Sequence, residues 1–221
     1  MRNSDNAGLI APLRKYGLPT VVAIAGLALT AAPSLAHHPM GGATPATFFE
    51  GFMSGVGHPI LGVDHLAFVV AIGLFAAMKR QGFLIPVAFV LTAMLGTAAH
   101  LMSATLPGAE LWVAGSVLAL GLLMLLQDRL NLAAISGLVG LAGLFHGYAY
   151  GEAIFGAEMT PLVAYLAGFT AIQLAIALFT AQVARMTMTE SLAKFRSAGF
   201  VVVGIGFSLF ASQVLSVAFP G

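Results

Sequence analysis

The sequence predicts an all-α, polytopic membrane protein with six transmembrane helices following a cleaved signal peptide. Composition is the first reason: of 221 residues, 59% are hydrophobic and 8% charged, too apolar for a water-soluble domain of this size. The second is segmentation, because the chain beyond residue 36 divides into six apolar stretches, each near the length of one bilayer crossing. The third is charge placement. Every Lys and Arg beyond residue 36 falls in the first, third or fifth loop between those stretches.

Residues 1–36 read as the leader. Arg2, Arg14 and Lys15 form a basic region, Val21 to Thr30 an apolar one, and Ser34-Leu35-Ala36 a small-residue cleavage site. The apolar part is short for a span, which favours cleavage over an uncleaved anchor. Cleavage after Ala36 leaves residues 37–221 as the six-helix transmembrane domain and exports its N-terminus.

The six stretches run from Leu61 to Met78, Phe83 to Met102, Leu111 to Leu126, Leu132 to Tyr148, Pro161 to Ala184 and Phe200 to Phe219. Several are short, so tilt or local bilayer thinning is expected. Lys79 and Arg80, then Asp128 and Arg129, then Arg185 to Arg196 occupy the odd loops, whereas Glu110, Glu152 and Glu158 lie at the even ones. The positive-inside rule puts the odd loops in the cytoplasm and both mature termini outside a bacterial inner membrane or its equivalent. The leader gives the same orientation from different residues.

Composition also excludes several functions. A net charge of +1 is no nucleic-acid footprint. The absence of cysteine rules out disulfides, thiolate zinc sites and iron–sulfur clusters, so a metal must take nitrogen, oxygen or thioether ligands. No P-loop is visible, which argues against self-contained ATP hydrolysis.

Ionisable groups at membrane depth are costly without a partner or a task, which singles out His58-Pro59-Ile60-Leu61-Gly62-Val63-Asp64-His65. On the topology above, His58 and His65 open the first stretch, His100 closes the second and His146 closes the fourth. All four lie in the outer half, with His37 and His38 at the mature N-terminus. Six histidines on one side point to one polar site or entry path. In a regular helix, positions 58 and 65 share a face but stand about 10.5 Å apart along the axis. Pro59 and Gly62 suit a helix start or an irregular turn. Either the segment breaks and its ligands converge, or it is helical and they act in sequence. Asp64 binds directly, orients an imidazole as an outer partner, or forms a packing pair with His65.

The pattern His58-Pro59-x-x-Gly62-x-Asp64-His65, continued by Gly73, resembles the signature of the HupE/UreJ family of nickel permeases. A second stretch, Phe145-His146-Gly147-Tyr148-Ala149-Tyr150-Gly151, is similar to that family's F-H-G-x-A-H-G pattern, with Tyr150 where many members carry a second histidine. Positions 146 and 150 share a helix face, so a phenol replaces an imidazole there. The resemblance covers nearly the whole chain. It implies a permease, not an enzyme, that takes up nickel, with cobalt as related cargo, for a hydrogenase or urease maturation system.

The metal-ligand candidates are therefore His58, Asp64, His65 and His146, followed by His100 and Glu152. His37 and His38, with a free α-amine after cleavage, suit copper or nickel. No catalytic residue and no tightly bound cofactor is expected; the divalent ion is cargo, nickel first and cobalt, copper or zinc after it. The expected partners are membrane lipid and that ion, with no nucleic acid. Two other classes use the same residue types. A membrane cytochrome would take His65, His100 and His146 as haem ligands, and an intramembrane metallo-hydrolase would use Glu152 as an acid or base.

The remaining features read as packing and anchoring. Gly143, Gly147 and Gly151 form a small-residue stripe that also brings His146 towards the first helix. Trp112 is an interfacial anchor, and Gln173 and Gln213 make interhelical hydrogen bonds or line a polar path. Glu50 is a charge on the short segment before the first helix.

Overall fold

The computed structural model describes residues 43–126, 131–188 and 191–219. The leader, His37, His38, Asp128 and Arg129 lie outside the described residues. Within them the chain forms seven helices: α1 (Phe48–Leu61), α2 (Val63–Met78), α3 (Leu84–Leu101), α4 (Ala109–Leu125), α5 (Leu132–Glu152), α6 (Met159–Thr187) and α7 (Leu192–Ala218). The six apolar stretches correspond in order to α2 through α7. Helix α1 is additional, and Glu50, expected on a short segment, lies inside it. A capping box starts this helix: Glu50 N–H donates to Thr47 Oγ1 and Thr47 N–H donates to the Glu50 carboxylate, each at 3.2 Å.

Helices α3, α5, α6 and α7 are each long and apolar enough to cross a membrane, and α1 with α2 adds a fifth span if that bent pair counts as one. Helix α4 has 17 residues, a length of about 26 Å against a hydrocarbon core of about 30 Å. These apolar helices make the chain an integral membrane protein. Leu91, Leu95, Phe179 and Phe207 project outward from them, where a bilayer rather than water suits them.

Helix α2 occupies the centre. From Ala67 to Ala77 every residue except Val70 is buried, and Phe68, Ile72 and Phe75 pack with Phe89, Met124 and Phe195 from three other helices. Three closely packed helix pairs surround it, each drawn together by glycine, as expected where van der Waals packing drives association. A Cβ at Gly51 or Gly55 would strike the α6 backbone at Pro161 or Tyr165; one at Gly121 or Gly206 would strike the α4–α7 contact. Gly143 and Gly147 face Phe89, Thr92 and Ala93, and Gly151 faces His100. The predicted stripe thus seats α5 on α3 rather than on the first helix. At the opposite end of α2, Arg185 Nη2 donates to the Ala76 carbonyl at 3.3 Å, a cation placed where helix carbonyls lack intrahelical partners.

Candidate metal site

Helices α1 and α2 meet at Gly62 with a bend of 79°. The turn keeps its backbone satisfied: Gly62 N–H donates to His58 C=O at 3.1 Å, and Gly62 C=O accepts from Leu66 N–H at 2.8 Å. Space, not an unusual dihedral, demands glycine here. Its φ is −75°, and an added Cβ would meet His65 Cδ2 at 2.7 Å and Asp64 Oδ1 at 3.0 Å.

The broken arrangement is the one observed, and the two motif histidines converge. The His58 and His65 rings have centroids 5.4 Å apart. Helix α5 brings in His146, whose Nδ1 lies 2.8 Å from His65 Nδ1. All three imidazoles are at most 1% exposed. Tyr150, one turn beyond His146, packs its ring 5.0 Å from His58 and 4.4 Å from His65. Its hydroxyl is buried with no hydrogen-bond partner among the described residues.

Helix α6 closes the site with Tyr165. Its hydroxyl donates to the Tyr150 carbonyl at 2.8 Å and lies 3.2 Å from His58 Nδ1. With its one hydrogen on that carbonyl, the hydroxyl accepts from His58 Nδ1–H, leaving the lone pair on Nε2. Phe68 and Phe89 wall His146 at 4.3 and 5.6 Å, and Phe169 lies 5.4 Å from Tyr150. Ser116 of α4 reaches His146 Nε2 at 2.9 Å.

The other candidates are placed differently. Asp64, in the first turn of α2, accepts the His65 backbone N–H at 2.8 Å, and the same Oδ1 stands 4.0 Å from His65 Nε2. His100 is half-buried against Tyr148 and Phe155, with centroids at 4.5 and 5.6 Å. Glu152 is exposed. Among the described residues no three His, Asp or Glu side chains already form a metal-holding group, so the site is a histidine pair with a third imidazole and a phenol beside it. Gln173, a candidate for a polar path, is buried and donates to Phe169 C=O of its own helix at 3.0 Å.

Two residues at this site lie outside the motifs. Tyr165 is one aromatic in a long apolar stretch, and Ser116 a small residue in another. A polar atom at membrane depth was the available signal for both.

The pair's separation has a chemical consequence. Two nitrogens bound at about 2.0–2.1 Å to one ion and at right angles to each other stand about 2.9 Å apart. A cation held by both Nδ1 atoms would displace the hydrogen that now joins them, and in a neutral imidazole that hydrogen would move to the Nε2 of its own ring.

Apolar helices enclosing a buried histidine pair define the class: an integral membrane protein with a polar site inside its helical bundle. A family model described as HupE / UreJ protein matches residues 25–209, and the chain belongs to this family of metal transporters, which are not enzymes. It is 31% identical over 147 residues to Protein HupE of Rhizobium leguminosarum bv. viciae, an alignment covering 66% of this chain and 73% of that protein. No solved structure matches.

Proposed function

We propose that this chain is a permease for a divalent transition-metal ion, nickel first with cobalt, copper or zinc as alternatives, moving inward through a six-span bundle. The observation that carries the reading is the 2.8 Å approach of His65 Nδ1 to His146 Nδ1 inside the bundle. His58 and Tyr150 stand close enough to complete a ligand set after side-chain rotation. Asp64 supplies negative charge at the rim. Imidazole and carboxylate suit all four ions.

Orientation follows from the basic odd loops: the histidine end faces outward, in the bacterial inner membrane, with both mature termini on that side. Glu152 and Glu158 then act as outer acidic groups, His100 as an approach residue, and His37 and His38 as a capture tail once the leader is removed. Inward movement of a cation gains about 2.3 kcal/mol per charge per 100 mV of membrane potential, so no ATPase is required. The recipient is a metalloenzyme maturation system. A haem reading has less support, because a porphyrin would have to pass between nitrogens 2.8 Å apart and through the packed rings of Phe68 and Tyr150.

The test is ion accumulation in cells stripped of their own importers, with nickel, cobalt, copper and zinc offered separately. The parent chain should accumulate one ion and His65→Ala, at equal membrane abundance, should not. Failure of the parent to accumulate any of the four sinks the reading.

A further inference from the structure

We propose that Ser116 is a positioning residue for the ion site, holding the His146 ring in the tautomer that presents a bare Nδ1 to His65. The inference rests on the permease reading above, since it takes His146 as an ion ligand. Ser116 Oγ donates to the Val113 carbonyl at 2.7 Å and lies 2.9 Å from His146 Nε2. A serine hydroxyl has one hydrogen and two acceptor lone pairs. With the hydrogen committed to Val113, only lone pairs face the ring, so Nε2 must carry the hydrogen. A neutral imidazole has one N–H, which leaves Nδ1 bare. Nδ1 is the atom 2.8 Å from His65.

The surroundings leave Nε2–H little choice. Ser116 lies in an apolar cleft between α4, α5 and α7, beside Phe68, Trp112, Leu138, Phe145 and Phe210. Trp112 has only a donor, and the other side chains lining the cleft are apolar, so Ser116 is the one side-chain acceptor among them. A histidine ligand is set by the bond its other nitrogen makes, and such outer partners are worth about 10–100-fold in metal affinity. Without the hydroxyl, a hydrogen on Nε2 would be buried unpaired. Transfer of that hydrogen to Nδ1 relieves the cost and blocks the nitrogen the ion needs.

The experiment uses the full chain purified in lipid nanodiscs, with nickel titration and nitrogen NMR of ¹⁵N-histidine-labelled protein, His146 being assigned by loss of its signals in His146→Gln. The parent should show the Nε2–H tautomer at His146. Ser116→Ala should move the signal towards the Nδ1–H tautomer and weaken nickel binding by about 10–100-fold, and Ser116→Thr, which keeps the hydroxyl, should restore both. An unchanged tautomer and affinity in Ser116→Ala, with binding abolished in His146→Gln, overturns the positioning role and leaves the permease reading standing. Weakened binding with an unchanged tautomer also overturns it, because a packing defect alone would do that. If the parent binds none of nickel, cobalt, copper and zinc, both readings fail.

Discussion

His65 Nδ1 and His146 Nδ1 lie 2.8 Å apart although 81 positions separate them in the chain. Neither helix could arrange this alone. His65 is aimed by the 79° bend at Gly62, and His146 is held at its depth by Gly147, which seats α5 against the Ala93 backbone of α3. Two close backbone approaches therefore set the geometry of one nitrogen pair, and each can be disturbed separately.

Gly62→Ala disturbs the aim. The backbone at φ −75° and ψ 105° is open to alanine, so the cost in stability, about 1–3 kcal/mol, comes from overpacking and not from the dihedrals. The new methyl meets His65 Cδ2 at 2.7 Å, and the buried ring must shift. Ion uptake should fall about tenfold or more, as expected when a ligand is displaced by a fraction of an ångström. Equal uptake by the variant and the parent at matched abundance would show that the bend does not aim the site.

Gly147→Ala disturbs the seating. Its Cβ would overlap the Ala93 carbonyl, whereas a Cβ at Gly137 on the same helix meets nothing within 4 Å. Overpacking of this kind costs about 1–3 kcal/mol, so thermal unfolding in detergent should come at lower temperature for Gly147→Ala. Gly137→Ala should match or exceed the parent, because alanine favours the helix by about 1 kcal/mol over glycine. The same loss in both variants would mean that the α3–α5 contact is not the cause.

Imidazole must be unprotonated to hold a cation, and histidine side chains in water protonate near a pKa of about 6.5. Protons and the ion compete for the same nitrogens, so the sign is fixed: affinity can fall but not rise as pH falls. Nickel titration of purified protein between pH 8 and pH 5 measures the direction. An affinity that rises as pH falls would remove histidine from the ligand set.

The six apolar stretches were legible because a bilayer forces each span to satisfy its backbone internally and to present apolar side chains around it. Helix α1 was not, since Gly51, Ser54, Gly55, His58 and Pro59 break its apolar pattern; its helicity comes from the capping box and from packing on α6. The pairing of His58 with His65 was legible only as one of two alternatives, and the break at Gly62 decides between them. The approach of His146 to the first helix was legible, but the atoms that meet were not, because helix depth depends on which glycine faces which backbone. Tyr165 and Ser116 carry no motif, and only their hydrogen bonds mark them.

His100 and Glu152 share the histidine end of the bundle but stand apart from the buried pair. His100 packs on Tyr148 and Phe155, and Glu152 is exposed. Glu152→Gln should leave uptake within about twofold of the parent, as substitution of an exposed charge usually does, and His100→Ala should raise the half-saturating ion concentration without abolishing uptake. His65→Ala in the same cells provides the scale. A complete loss in Glu152→Gln would place this carboxylate in the ion path and revise the ligand set.

Tyr150→His tests what the phenol does. The Tyr150 ring sits against both His58 and His65, and its hydroxyl is buried with no hydrogen-bond partner among the described residues. An imidazole has a smaller ring and offers a nitrogen at the spacing where the family pattern carries its second histidine. Nickel and copper favour tetragonal nitrogen ligation, and hard oxygen donors suit them less. The variant should therefore bind nickel more tightly than the parent, by about tenfold for one added nitrogen ligand, and shift its preference among the four ions in nickel's favour. Tyr150→Phe separates ligation from packing: it keeps the ring, removes the oxygen and should leave stability near the parent's, because no hydrogen bond from that hydroxyl is lost. If Tyr150→Phe also leaves ion affinity and selectivity unchanged, the phenol is a packing group and the ligands must come from the three imidazoles and Asp64.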